Sequence, residues 1–289
     1  MPELAPPVCR GCMNQDCEPL GVLPAREEFA GISLPKAIPG GGLYRCNKCS
    51  LVFRSPILTE AEYNKLYERA SAHVWVTKNP QLRTDQSLVK DYIEHCFPVG
   101  AKVLDVGCYT GEFLISLGRK HARFGIEKSE SAARHAEKNG IQILRDDLYE
   151  AAQLKEKFDV VTAMDVIEHT TNPDLFLKSM LALLTDTGIL IITTGDAGNR
   201  IWRTVKGTFW YCSFAEHISF ISEEWLHSNA KVNNFRVAHL QRFRYETRNH
   251  LKTVAKVVLI HVCKLFARQP RSSWTAHVSA DHLFAVIRR

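Results

Sequence analysis

Val103-Leu104-Asp105-Val106-Gly107-Cys108-Tyr109-Thr110-Gly111-Glu112-Phe113-Leu114 is the stretch that decides the fold. An apolar strand ends in an acid, a glycine-bearing turn follows, and Glu112 opens a helix. Backbone N–H groups and a helix N-terminus therefore converge on one crevice, which predicts a nucleotide-type cofactor site. Working outward, Arg123-Phe124-Gly125-Ile126-Glu127 reads as a second strand, ending in an acid twenty-two residues after Asp105. A carboxylate at that spacing suits the vicinal hydroxyls of a ribose, so both NAD and S-adenosylmethionine (SAM) fit. The glycines separate the two. Gly107 and Gly111 have three residues between them, with no third glycine at the spacing of a dinucleotide fingerprint, which disfavours a pyrophosphate.

Downstream the pattern alternates. Val103 to Val106, Phe124 to Glu127, Ile141 to Leu144, Phe158 to Met164 and Gly188 to Thr194 read as strands, with helical patterns over 86–96, 111–120, 129–139 and 173–184. Right-handed crossovers turn this order into a doubly wound α/β sheet, whose ligands sit beyond the carboxyl ends of the strands.

The ordered segments LDVGCYTGEFL (104–114), GIEKS (125–129), RDDL (145–148), FDVVTAMDVIEH (158–169) and LLTDTGILIITT (183–194) resemble the class I SAM-dependent methyltransferases, over residues 85–289. That resemblance implies a seven-stranded Rossmann-like sheet closed by an antiparallel hairpin, Arg236 to Arg242 with His282 to Ile287, here carrying a helical insertion near 249–267. It also implies Asp105 and the loop Gly107, Cys108, Tyr109 and Gly111 at the methionyl part of SAM, and Glu127 with Lys128 at the ribose. Asp147 and Leu148 would lie near adenine, with Met164, Asp165 and Val166 closing the pocket. Tyr109 departs from the family's usual glycine. Each acid has a plainer reading as a helix cap, and for Asp147 the two readings stand side by side.

Nine cysteines include Cys9-x-x-Cys12 and Cys46-x-x-Cys49, separated by thirty-three residues. Two such knuckles complete a tetrahedral all-thiolate site with no open position, so a zinc held there would be structural. A Pro- and Gly-rich segment of this size buries little core unaided, and metal ligation would supply folding energy. Cys17 falls off the pattern, and Cys96, Cys108, Cys212 and Cys263 read as small buried hydrophobes. The run CRGC…LYRCNKCSLVFRSP…LTEAEYNKLY resembles the zinc-binding segment that precedes many bacterial small-molecule methyltransferases, including ones from polysaccharide and natural-product pathways. Expected organisation is thus a zinc-ribbon module at 1–58, a helical connector or lid at 59–84, and a methyltransferase domain at 85–289. Thr59 and Glu62 form a capping box for a helix to Ala70, and Tyr67, His73 and Trp75 are available as lid or packing residues.

For chemistry beyond the cofactor, a hydroxyl acceptor needs a base, and two Glu-His pairs offer one: Glu168-His169, and Glu216-His217 at the end of the aromatic run Phe209-Trp210-Tyr211-Cys212-Ser213-Phe214. The second pair resembles the family's acceptor-side P-E-H-x-x-F loop, with Ala215 in place of proline. His217, His169 and Glu216 are the catalytic candidates, and Asp165 reads as a pocket residue.

Net charge is +6, unevenly spread: residues 231–289 hold twelve Lys or Arg against Glu246 and Asp281 alone. Beside a plain solvated basic face, this suits an anionic acceptor, an anionic membrane surface touched by the helix at 251–267, or RNA. The first residues carry Pro2, Glu3, Pro6 and Pro7 and no apolar signal core follows, so a cytoplasmic protein with reduced thiols is expected. The leading expectation is methyl transfer to a hydroxyl of a sugar, glycan precursor or natural product. The alternatives are an RNA base methyltransferase and a non-catalytic SAM- or partner-binding protein of the same fold.

Overall fold

A computed structural model describes residues 7–69, 82–245, 250–265, 270, 272–276 and 278–289. His73, Trp75 and most of the connector lie outside the described residues. The N-terminal module contains β1 (Cys17–Leu23), a hairpin of β2 (Arg26–Phe29) and β3 (Ile32–Ile38), β4 (Gly41–Cys46) and β5 (Val52–Ser55). It is followed by α1 (Glu60–Arg69). The capping box forms: Glu62 accepts from the Thr59 amide at 2.8 Å and from its hydroxyl at 2.7 Å.

The larger domain runs α2 (Thr84–Cys96), β6 (Lys102–Val106), α3 (Glu112–Ser116), β7 (Ala122–Ile126), α4 (Glu130–Lys138), β8 (Gln142–Arg145), α5 (Leu148–Ala151) and β9 (Phe158–Met164). It continues with α6 (Pro173–Ala182), β10 (Leu184–Gly195), α7 (Arg200–Val205), β11 (Ser219–Phe220), α8 (Glu223–Asn233), β12 (Arg236–Phe243), α9 (His250–Leu265), α10 (Ser272–Thr275) and β13 (His282–Arg288). Seven strands form one sheet in the order β12-β13-β10-β9-β6-β7-β8. β8, β7, β6, β9 and β10 are parallel, and β13 runs antiparallel between β10 and β12. This is the methyltransferase Rossmann-like arrangement. The central strands are apolar on both faces, as a sheet covered on both sides requires. Leu104, Val106, Val161, Ala163, Leu190 and Ile192 fill one core, and Val103, Val160, Ile189 and Ile191 fill the other.

Three features differ from the pattern read along the chain. The helix expected over 111–120 stops at Ser116, and a left-handed Gly118 turns the chain toward β7. β10 begins four residues earlier than expected, at Leu184. The N-terminal sheet, of order β1-β4-β5-β11, takes its fourth strand from deep within the larger domain. Cys9, Cys46, Leu51 and Phe53 join the same core as Leu104 and Trp225, so module and domain share one apolar interior.

In the insertion, Ala255, Val258, Leu259 and Val262 of α9 lie exposed at helical spacing, opposite a fully buried Ile260. Among the described residues no helix is long and apolar enough to cross a membrane.

At the end of β10 the fully buried Asp196 accepts from Arg242 Nε at 2.7 Å, and the same guanidinium donates to Glu223 at 2.8 Å, fixing β12 over the helix α8. Arg242→Met should lower unfolding free energy by about 2 kcal/mol, because it strands a buried carboxylate. Urea denaturation measures this, and an unchanged midpoint would deny the pair a role.

Candidate functional site

At the carboxyl end of β6 the turn needs three left-handed residues, Gly107 (φ 75°), Tyr109 (φ 51°) and Gly111 (φ 85°). Gly107 has a steric reason as well: a Cβ there would lie 2.8 Å from Cγ2 of Val166. Tyr109 adopts the strained conformation itself, and its amide then donates to Glu127 Oε2 at 2.8 Å. Ser129 N donates to the other oxygen at 2.7 Å, so Glu127 is clamped at the tip of β7. Burial raises its pKa, while these amides act in the opposite sense.

Asp105 is almost fully buried and accepts from Thr162 Oγ1 at 2.6 Å. Burial raises its pKa to about 7, against that hydrogen bond. Asp147 caps α5, its Oδ1 accepting from Tyr149 N at 2.7 Å and Glu150 N at 3.1 Å, and Oδ2 has no partner among the described residues. Leu148 and Met164 are buried nearby in the sequence of strand ends. Cys108 brings only its backbone to the turn, because its thiol packs on β7: a Cβ on Gly125 would lie 2.4 Å from it. Lys128 reaches away, donating to Asn64 Oδ1 of α1 at 2.6 Å.

Asp165, also left-handed (φ 55°), accepts from Tyr245 Oη at 2.6 Å and lies 3.6 Å from Arg83 Nη2. Arg83 in turn forks onto Asp85 at 3.1 and 2.6 Å. Around this crevice Tyr109 Oη, Thr110 Oγ1 and Asp165 Oδ1 are buried with no partner among the described residues. Unmet polar groups of this kind fit a ligand rich in donors and acceptors.

The Glu-His pairs come together on the other side of Asp165. Glu168 is fully buried, accepting from Thr194 Oγ1 at 2.9 Å and from the Tyr211 hydroxyl. His169 Nδ1 lies 3.0 Å from Tyr67 Oη and 3.2 Å from the main-chain carbonyl of Glu216, so Glu216 reaches it by backbone rather than by its carboxylate. His217 Nδ1 sits 3.0 Å from the Tyr211 carbonyl, which can only accept, and Nε2 therefore carries the lone pair. Burial, then His169, holds the His217 pKa well below its ordinary value, and the ring is neutral at pH 7. The two imidazoles are 5.0 Å apart. One donor atom each from Glu168, His169 and His217 falls within 4.8 Å, but both Glu168 oxygens are already engaged by hydroxyls, and the group reads as a hydrogen-bond network.

Two site residues were missed along the chain. Arg83 stood in a connector without a motif around it. His282, at the start of β13, pairs with Asp281 (Nδ1 to Oδ1, 3.0 Å), whose other oxygen accepts from Trp210 Nε1 at 3.0 Å. Burial works against the charged imidazole, but the hydrogen bond to Asp281 and the charges of Asp165, Asp281 and Glu168 together outweigh it, and the His282 pKa rises. The sequence signal was an Asp-His pair at a strand start, read there only as strand.

In the N-terminal module Cys9 Sγ lies 3.5 Å from Cys49 Sγ and Cys12 Sγ 3.5 Å from Cys46 Sγ, and one sulfur from each of the four falls within 4.8 Å of the others. A tetrahedral thiolate site with ordinary zinc–sulfur bonds has sulfur–sulfur edges of about 3.8 Å, so the cluster is compatible with a zinc ion. Cys49 N also points at Cys46 Sγ, 3.5 Å away. Cys17 stays outside the cluster, its thiol directed to the Asn14 carbonyl.

A family model for a methyltransferase domain matches residues 82–240, more than half of the chain, and the chain belongs to that methyltransferase family. Among curated relatives it is 35% identical over 111 residues to a ubiquinone biosynthesis O-methyltransferase of Bradyrhizobium diazoefficiens, covering 36% of this chain and 43% of that protein. A protein of the same name from Actinobacillus pleuropneumoniae is 35% identical over 131 residues, covering 41% and 53%. The chain thus spans about half, or less, of the length of these relatives. Among solved structures, magnesium protoporphyrin IX methyltransferase from Synechocystis with bound SAM superposes with a TM-score of 0.51 at 15% identity, over 81% of this chain and 100% of that one. At that identity the likeness concerns the fold alone.

Two outcomes are expected here. Gly107→Ala combines a left-handed backbone with the Val166 contact and should destabilise the protein by about 1–3 kcal/mol in thermal unfolding; a neutral effect would mean that the turn rearranges freely. The pH dependence of Asp105 has a definite sign. Its folded pKa lies above the unfolded one, so the folded state holds the extra proton, and stability falls as pH rises from the ordinary aspartate range to about 7. The stability of Asp105→Asn relative to wild type should therefore increase over that window and level off above it. A pH-independent difference would show that Asp105 ionises normally.

Proposed function

We propose that this chain methylates a hydroxyl of a small-molecule acceptor, with SAM bound in the crevice at the ends of β6, β7 and β9. The observation that carries the cofactor site is the Glu127 carboxylate, clamped by the Tyr109 and Ser129 amides beside a glycine turn whose Tyr109 and Thr110 hydroxyls have no partner among the described residues. SAM supplies an electrophilic methyl group on a sulfonium. Glu127 receives the ribose hydroxyls, with Lys128 at the rim. Asp105 and the backbone of Gly107, Cys108, Tyr109 and Gly111 border the methionyl part, whose carboxylate meets Arg83. Asp147 and Leu148 flank the adenine, and Met164, Asp165 and Val166 form the wall toward the acceptor.

On the acceptor side, His217 presents the lone pair of Nε2 to take the hydroxyl proton, while His169 and the Glu216 backbone orient the loop that carries it. Oxygen as the accepting atom draws support from the names of the curated O-methyltransferase relatives. The excess of basic residues beyond position 230 favours an acceptor bearing negative charge, as in a sugar or natural-product precursor on a phosphate carrier. The exposed stripe of α9 suits contact with the surface of an anionic membrane. The four cysteines hold one structural zinc, which leaves no coordination position for the reaction.

Titration calorimetry with S-adenosylhomocysteine should give binding that Glu127→Ala weakens by about 10- to 100-fold, the worth of hydrogen bonds to a charged group. Methyl-labelled SAM added with cell extract should then label a small-molecule fraction that ribonuclease leaves intact. Undiminished binding by Glu127→Ala would overturn the cofactor site, and label released by ribonuclease would overturn the acceptor class. Metal analysis should find about one zinc per chain, lost in Cys46→Ser; a folded, metal-free wild type would remove the zinc site.

A further inference from the structure

Arg54 is 2% exposed, and among the described residues no carboxylate forms an ion pair with it. A buried guanidinium without a counter-charge is costly, so what it does with its donors matters. Nη1 has no partner among the described residues, and the donors that are engaged go to one loop. Nη2 donates to the carbonyls of Cys212 and Phe214, at 3.0 Å each, and Nε donates to the carbonyl of His217 at 3.3 Å. The Arg54 amide donates to Ile218 at 3.0 Å, and just beyond it Phe53 and Val52 pair with Ser219 and Phe220.

The opposite side of Arg54 is tied to the cysteines. Arg10, between Cys9 and Cys12, donates to the Arg54 carbonyl and lies 5.8 Å over the Phe53 ring. Cys46 N donates to Leu51 at 2.9 Å, setting where β5 begins. Beyond the loop, the contacts continue without a gap. Ile218 N donates to the Glu168 carbonyl at 2.9 Å, and the Glu216 carbonyl meets His169.

We propose that Arg54 is a positioning residue that transmits the state of the four-cysteine site to the acceptor-side loop 209–217, making the N-terminal module a wall of the acceptor site. The metal of that module then governs whether His217 is presented, although it touches no reactant. The functional meaning of the loop rests on the methyltransferase reading above; the mechanical coupling does not.

Hydrogen exchange read by mass spectrometry on the full chain as purified tests this. In Arg54→Met, peptides covering 209–220 should exchange about tenfold faster, the effect of losing charged hydrogen bonds to the loop. Peptides covering β6 and β9 should keep wild-type protection, and the metal content should stay at its wild-type value. Arg54→Lys, which retains the charge and can reach part of the carbonyl set, should restore part of the protection. Wild type treated with a chelator should lose protection in the same peptides. Unchanged exchange at 209–220 in Arg54→Met, or in the chelated protein, overturns the proposal. Should Arg54→Met fail to fold, Arg10→Met removes the hold on the Arg54 carbonyl and the contact over Phe53 while leaving the Arg54 side chain in place, and the same peptides must respond. S-adenosylhomocysteine binding on the same samples keeps the two readings apart: a wild type that binds none defeats the cofactor site and leaves the coupling standing.

Discussion

The hydrogen bond from Tyr109 N to Glu127 is the constraint around which the catalytic half of the molecule is arranged. To deliver that amide, the chain must leave β6 through a turn with positive φ at Gly107, Tyr109 and Gly111. To deliver the carboxylate, β7 must lie beside β6 in parallel, with Val106 level with Ile126. Both conditions hold only within the doubly wound sheet, whose parallel strands release their loops on one edge. Asp105, Asp165 and the turn after β9 then arrive on that edge without further instruction.

What was legible along the chain shares a physical property: it is local. The glycine turn, the acid ending each strand, the capping box at Thr59 and the paired cysteines each declare themselves within a few residues. The strands from Phe158 to Met164 and around Leu190 are also plain, because burial on both faces makes them continuously apolar. Arg83 and His282 were not legible, since their importance comes from Asp165 and Asp281 meeting Tyr245 and Trp210 across the fold. The pairing of β5 with β11 joins residues more than 160 positions apart, and nothing in the residues around Arg54 marks it as the clamp of a distant loop.

The same distinction separates cofactor from acceptor. The cofactor site proposed above would draw on one stretch, from Asp105 to Val166, in which each strand end and the turn after it are local in sequence. The acceptor side proposed above would instead be assembled from the N-terminal module, the segment after β9, the aromatic run before β11 and the start of β13. Buried groups there have opposed tendencies: burial favours the neutral form of His217, while Asp281, with the charges of Asp165 and Glu168, draws His282 toward its charged form.

The central claim is that the crevice at the tips of β6 and β7 is the SAM site. A crystal structure with S-adenosylhomocysteine tests it most directly. Both ribose hydroxyls should lie on the Glu127 carboxylate, with the amino-acid carboxylate at Arg83 and the sulfur directed toward Asp165. A nucleoside seated elsewhere, or a ribose that leaves Glu127 bonded only to Tyr109 and Ser129, would contradict it.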